Sequence, residues 1–143
     1  VGKGPEEEML TKMVRDLDLS DKIKFINKIE YERMPEEMSK YDIFILPSYF
    51  ETFGRVFFEA MAVGLPIICA KNTGIHGYFK EMQEGIAVDH NNIEDIEDKL
   101  KLLIQNDDLR KKIGTNAKRL MQKYTWDKVA RSFYELYAKA LDN

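Results

Sequence analysis

The chain is 143 residues long, 44% apolar and 33% charged, a size and mixture that suit one compact domain over residues 1–143 rather than two. Its 22 lysines and arginines are interspersed with 25 acids for a formal net charge of -3, which leaves no basic footprint for nucleic acid. Cys69 stands alone, so neither a disulfide framework nor a thiolate metal cluster can form within one chain, and a reducing, cytoplasmic setting is expected.

Val1-Gly2-Lys3-Gly4-Pro5 reads as the tail of a strand turning into a helix, with Pro5 at the first helical position and Glu6, Glu7 and Glu8 at the positive end of the dipole. A strand without its beginning leads us to expect a piece of something longer. The helix is predicted from Pro5 to Leu17. Lys22-Ile23-Lys24-Phe25-Ile26-Asn27 alternates and is predicted as a strand. A short helix is predicted over Met34–Tyr41, and Asp42-Ile43-Phe44-Ile45-Leu46 has the composition of a buried parallel strand. A helix from Gly54 to Val63 stops at Gly64, and strands follow at Leu65–Ala70 and Gly85–Val88.

From Asn92 the period becomes helical, with Ile93, Ile96, Leu100, Leu103 and Ile104 on one face. Two more helices are predicted, from Asp107 to Tyr124 and from Trp126 to Leu141. Strands alternating with helices imply an α/β fold: a three-layer, Rossmann-like open parallel sheet with helices on both faces. No apolar stretch approaches the roughly 18 residues that cross a bilayer, and the first residues carry no signal-peptide pattern.

Ligands of such sheets bind beyond the carboxyl ends of the strands, where loops enter helix N-termini. The loop after Leu46 is Pro47-Ser48-Tyr49-Phe50-Glu51-Thr52-Phe53-Gly54, with Arg55 and Val56 opening the helix. A glycine that admits a ligand to the backbone, followed by N–H groups with no partner inside the helix, suits a diphosphate. Taken alone, an ordinary strand-to-helix turn containing a glycine reads equally well. The helix Val56–Leu65 is apolar except at Glu59, and a carboxylate there requires a polar partner or a ligand. A buried Lys or Arg would satisfy it; so would the vicinal hydroxyls of a ribose.

Pro47-Ser48, Glu51-Thr52-Phe53-Gly54 and Glu59-Ala60-Met61-Ala62-Val63-Gly64-Leu65-Pro66 closely resemble the E-x7-E segment of family-4 retaining glycosyltransferases (glycosyl transferases group 1) of the GT-B fold. The resemblance extends back through Val1–Pro5 and Phe25-Ile26-Asn27 and forward through Gly74, Gly85 and Tyr124-Thr125-Trp126, nearly the whole chain. It implies the C-terminal, donor-binding half of a GT-B enzyme that transfers a hexose from a nucleoside diphosphate sugar, UDP-linked or GDP-mannose, to a glycan or lipid in polysaccharide or glycoconjugate synthesis. A noncatalytic nucleotide-binding module and an epimerase or phosphorylase of GT-B architecture are the alternatives. The paired carboxylates speak against the first and their spacing against the second.

By resemblance, Glu51 is the catalytic carboxylate at the donor sugar. Thr52, Phe53 and Gly54 supply backbone that reads sugar hydroxyls, Arg55 and Val56 supply diphosphate-binding N–H groups, and Glu59 binds ribose. Lys28 and Ile29 fall where the family's loop borders the base. The family's diphosphate-neutralising Arg and Lys lie before the position of Val1, with the acceptor domain, through which any peripheral membrane contact would run; the fragment alone is expected to be inactive. No cofactor and no metal are expected: two histidines and one cysteine offer no zinc spacing. Asn27 replaces a usual glycine, and Thr73-Gly74-Ile75-His76-Gly77 departs from the family's GG-x-PE. His76 could line the acceptor side or be a loop histidine with solvent and backbone partners; His90 reads as a surface turn residue.

Overall fold

The structure, a computed structural model, describes residues 2–141. Two compact units divide the chain, Val1–Glu36 and Glu37–Asn143, and each is taken by itself. The strand tail expected to begin at Val1 starts outside the described residues.

In the first unit, helix α1 spans Glu7–Asp16 with Glu7 and Glu8 in its first turn and Arg15 in its last, which complements the helix dipole at both ends. It starts two residues after Pro5, because Pro5 and Glu6 form the preceding turn and Glu6 is the cap. The strand predicted over Lys22–Asn27 does not form. A strand needs a ladder, and among the described residues this stretch has one rung to the chain start, the Gly2 N–H donating to the Ile26 carbonyl at 2.9 Å. A 3-10 turn over Tyr31–Arg33 runs directly into helix α2, Met34–Met38, which spans the boundary between the units.

The second unit is an α/β Rossmann-like fold. Strands β1 (Phe44–Leu46), β2 (Ile67–Ala70) and β3 (Ile86–Val88) lie parallel in the order β1-β2-β3, with Ile45 opposite Ile68 and Cys69 opposite Ala87. All four residues of β2 are buried, so both faces of the sheet's centre are covered, as its unbroken apolar run requires. Helices α3 (Arg55–Val63), α4 (Ile93–Gln105), α5 (Asp107–Met121) and α6 (Trp126–Leu141) follow. Ile68, Ile86, Val88, Leu103 and Ile113 form the core, with Ile96 and Leu100 packed against it.

Ile93 and Ile104, predicted to share that inner face, are exposed at the two ends of α4. Three residues at the centre of the stripe, Ile96, Leu100 and Leu103, reach the core. Helix α5 stops at Met121, three residues short of its predicted end, and the chain turns as Tyr124 N–H donates to the Met121 carbonyl. Asparagine side chains cap both α4 and α5: Asn92 accepts from the Asp95 N–H at 3.1 Å and Asn106 from the Leu109 N–H at 2.9 Å. Arg110 donates to the Leu103 carbonyl at 3.0 Å, satisfying a carbonyl in the last turn of α4.

Two glycines place α3. Gly64 ends it in the left-handed conformation at φ 95°. A Cβ on Gly114 of α5 would lie 2.1 Å from the Gly64 carbonyl oxygen, so α5 approaches the end of α3 at backbone distance only because residue 114 has no side chain.

Candidate functional site

The carboxyl end of β1 leads through Pro47 and Ser48 into a loop that returns to the N-terminus of α3. Gly54 caps that helix at φ 72° and ψ 50°, a left-handed conformation that disfavours other residues. A Cβ there would also meet the Phe57 ring at 2.6 Å. The predicted helix start at Gly54 thus moves by one residue: Gly54 is the cap, and Arg55 is the first helical residue.

Glu51 is half-buried and holds its own loop closed, one carboxylate oxygen accepting the Gly54 N–H at 3.0 Å. Its backbone carbonyl accepts the Gly74 N–H at 3.2 Å. A Cβ on Gly74 would fall 2.0 Å from the Thr52 carbonyl oxygen. The 3-10 segment Gly74–Tyr78 therefore rests directly on the backbone of the Glu51 loop. Thr52 and Arg55 are exposed and Val56 is half-buried. The Val56 N–H has no partner among the described residues, whereas Phe57 N–H turns back to the Gly54 carbonyl at 2.9 Å.

Glu59 lies about 6 Å along α3 from Arg55, at 1.5 Å of rise per residue. It is half-buried, and no hydrogen bond or ion pair engages its carboxylate among the described residues. No Lys or Arg of the described residues pairs with it. The helix around it is less enclosed than its composition implied: Phe57, Ala60 and Met61 are buried, but Ala62 is exposed. Lys28 is exposed and Ile29 half-buried, both in the first unit in a stretch that joins no ladder.

His76 accepts the Asn72 N–H at Nδ1 at 3.1 Å, and its ring also lies against that of Phe79 at 6.0 Å. His90 does sit in the turn after β3, yet its Nε2 is buried without a partner among the described residues, and its ring meets the edge of Tyr49 at 5.3 Å. Cys69 is fully buried in β2, and burial, with the Glu81 charge second, pushes its thiol up to about 12. Such a thiol is inert. Among the described residues no three His, Cys, Asp or Glu side chains gather as a metal site, and no helix is long and apolar enough to cross a membrane. A cavity of about 260 Å³ beside Tyr124 and α6 includes none of the Glu51 loop.

One feature of the site was not anticipated. Phe53 stacks on Phe58 with centroids 4.9 Å apart and planes at 16°. Tyr78 sets its ring against both, at 5.6 and 5.3 Å, and Tyr124 meets Tyr78 at 6.3 Å. These residues come from four segments, so no local periodicity signals the cluster.

Residues 1–120 match the family described as Glycosyl transferases group 1. The chain belongs to that family. Among its relatives is a D-inositol 3-phosphate glycosyltransferase of Streptomyces bingchenggensis, 31% identical over 134 residues that cover 94% of this chain and 30% of the relative. Among solved structures, the C-terminal domain of a glycosyl transferase group 1 family protein (LpcC) from Francisella tularensis is 30% identical, with a TM-score of 0.76, over 84% of this chain and 63% of that one. Anabaena Alr3699/HepE in complex with UDP and glucose has a TM-score of 0.78 at 23% identity, over 94% of this chain and 36% of that one.

The fold of this group 1 glycosyl transferase chain is thus that of a C-terminal GT-B domain. The family match contains Glu51 and Glu59 and ends within α5, one residue before Met121; α6 lies beyond it.

Proposed function

We propose that this chain is the donor-binding domain, over residues 1–143, of a retaining glycosyltransferase that moves a hexose from a nucleoside diphosphate sugar to a glycan or lipid. The observation that carries the reading is Glu59: a half-buried carboxylate with no partner among the described residues, about one turn inside a helix capped by left-handed Gly54. Vicinal ribose hydroxyls supply the two donors such a carboxylate accepts. The diphosphate then lies over the first turn of α3, where the Val56 N–H and the helix dipole offset its charge.

Transfer builds negative charge on the departing diphosphate and positive character at the anomeric carbon. The α3 N-terminus serves the first. Glu51, beside the same turn, serves the second by positioning the sugar and stabilising its anomeric centre during front-face attack. Because Glu51 holds the Gly54 N–H at 3.0 Å, the diphosphate and this carboxylate compete for that donor, and donor binding turns Glu51 toward the sugar. Thr52 and Phe53 present backbone to sugar hydroxyls, and Lys28 and Ile29 border the base. The HepE complexes with UDP and UDP-glucose support a uridine donor. The reaction needs no cofactor or metal from this chain, and acceptor recognition, with any peripheral membrane contact, belongs to the remainder of a cytoplasmic enzyme.

The division of roles is tested in the full-length protein. Glu59→Ala is expected to weaken nucleoside diphosphate binding about tenfold or more, the scale of a lost hydrogen bond to a charged group, while Glu51→Ala lowers kcat and leaves nucleotide affinity within a few-fold. The reverse pattern would overturn the assignment.

A further inference from the structure

The Glu51 loop is held from outside by the segment Gly74–Tyr78 at two points. At its start, Gly74 donates to the Glu51 carbonyl and fits against Thr52 only for lack of a Cβ. At its end, Tyr78 places its ring against Phe53 of the loop and Phe58 of α3 together. Phe53 immediately precedes Gly54, and Phe58 immediately precedes Glu59. One ring therefore ties the residue before the anion-binding turn to the residue before the partnerless carboxylate.

Phe53 is 46% exposed and Tyr78 39%, so neither is a core residue kept in place by burial from all sides. Of the ring contacts among the described residues, Phe53 without the Tyr78 edge keeps its stacking on Phe58, and Gly74 remains the other hold on the loop. We propose that Tyr78 is a positioning residue for donor transfer: its ring clamps Phe53 on Phe58 and so fixes the Thr52–Gly54 backbone at the N-terminus of α3. The inference rests on the donor-site reading above. Among the described residues Tyr78 makes no hydrogen bond to Glu51 or to the first turn of α3, and its role runs through Phe53.

The test uses Tyr78→Ala and Tyr78→Phe in the full-length protein, with amide hydrogen exchange, thermal unfolding, UDP titration and steady-state transfer measured side by side. In Tyr78→Ala the Gly54 and Gly74 amides, both bonded to Glu51, are expected to exchange faster. Its kcat/KM falls at least about tenfold, as misplaced reacting groups cost, while UDP affinity stays within about threefold because Glu59 and the helix turn are intact. Tyr78→Phe, which keeps the ring, behaves as the parent in all four. Unchanged exchange at Gly54 and Gly74, an equal loss in Tyr78→Phe, or an activity loss that only follows the folded fraction at constant KM would overturn the proposal. If Glu59→Ala left UDP affinity untouched, the donor-site reading would fail by itself, while the exchange comparison would still decide whether Tyr78 holds the loop.

Discussion

Gly54 concentrates two demands in one position. Its φ of 72° costs any residue with a Cβ on the order of 1–2 kcal/mol, and the added carbon would meet Phe57 at 2.6 Å. Gly54→Ala is therefore expected to lower stability by about 1–3 kcal/mol and also to weaken nucleoside diphosphate binding, since relief moves the turn that carries the Val56 N–H. Urea unfolding and UDP titration of the same variant check the pair. A variant with parental stability and affinity would show that the turn tolerates a side chain. The contrast with Cys69 is instructive: its thiol, fully buried and pushed up to about 12, is chemically silent despite its reactive type.

At the scale of elements, the packing of α5 on the end of α3 depends on backbone proximity. Gly114→Ala places a methyl group 2.1 Å from the Gly64 carbonyl oxygen, and neither partner is a flexible side chain that can move aside. Overpacking of this kind is expected to cost about 1–3 kcal/mol, with a lowered midpoint in urea and no change in slope. An unchanged midpoint would mean that α5 rests on α3 more loosely than the geometry indicates.

These helices were legible in the sequence because local chemistry marks both ends: Gly54 and Gly64 bracket α3, and Asn92 and Asn106 cap α4 and α5. The strands β1, β2 and β3 were legible as apolar runs, their ends shortened by one or two residues. Lys22–Asn27 misled because alternation reports a half-buried surface and not whether a neighbour completes the ladder. Ile93 and Ile104 misled because a stripe read along the whole of α4 ignores how little of a helix's ends reaches the core. The Glu51 loop was readable as a strand-to-helix turn closing on Gly54, but the ring contact of Tyr78 with Phe53 was not. Tyr78 lies 25 residues after Phe53, and they meet where the segment opened by Gly74 rests on Thr52.

Across the molecule, the described site gathers at one end of a three-stranded parallel sheet, in the second unit, with Glu51 and Glu59 on either side of the α3 N-terminus. Lys28 and Ile29 belong to the first unit. The helix α6 has no buried residue and exposes Trp126, at 88%, together with Phe133, Tyr134 and Tyr137. The chain spans 30% of the length of the Streptomyces relative and 40% of a Methanocaldococcus jannaschii relative.

The central claim is that a carboxylate at position 59 binds the nucleotide of a sugar donor. Calorimetric titration of the full-length protein and its Glu59→Ala variant against UDP, GDP and ADP tests it most directly. The parent is expected to bind one of the three diphosphates, UDP first, and the variant to bind that nucleotide about tenfold or more weakly. Equal affinity in parent and variant, or no binding of any of the three by the parent, would contradict it.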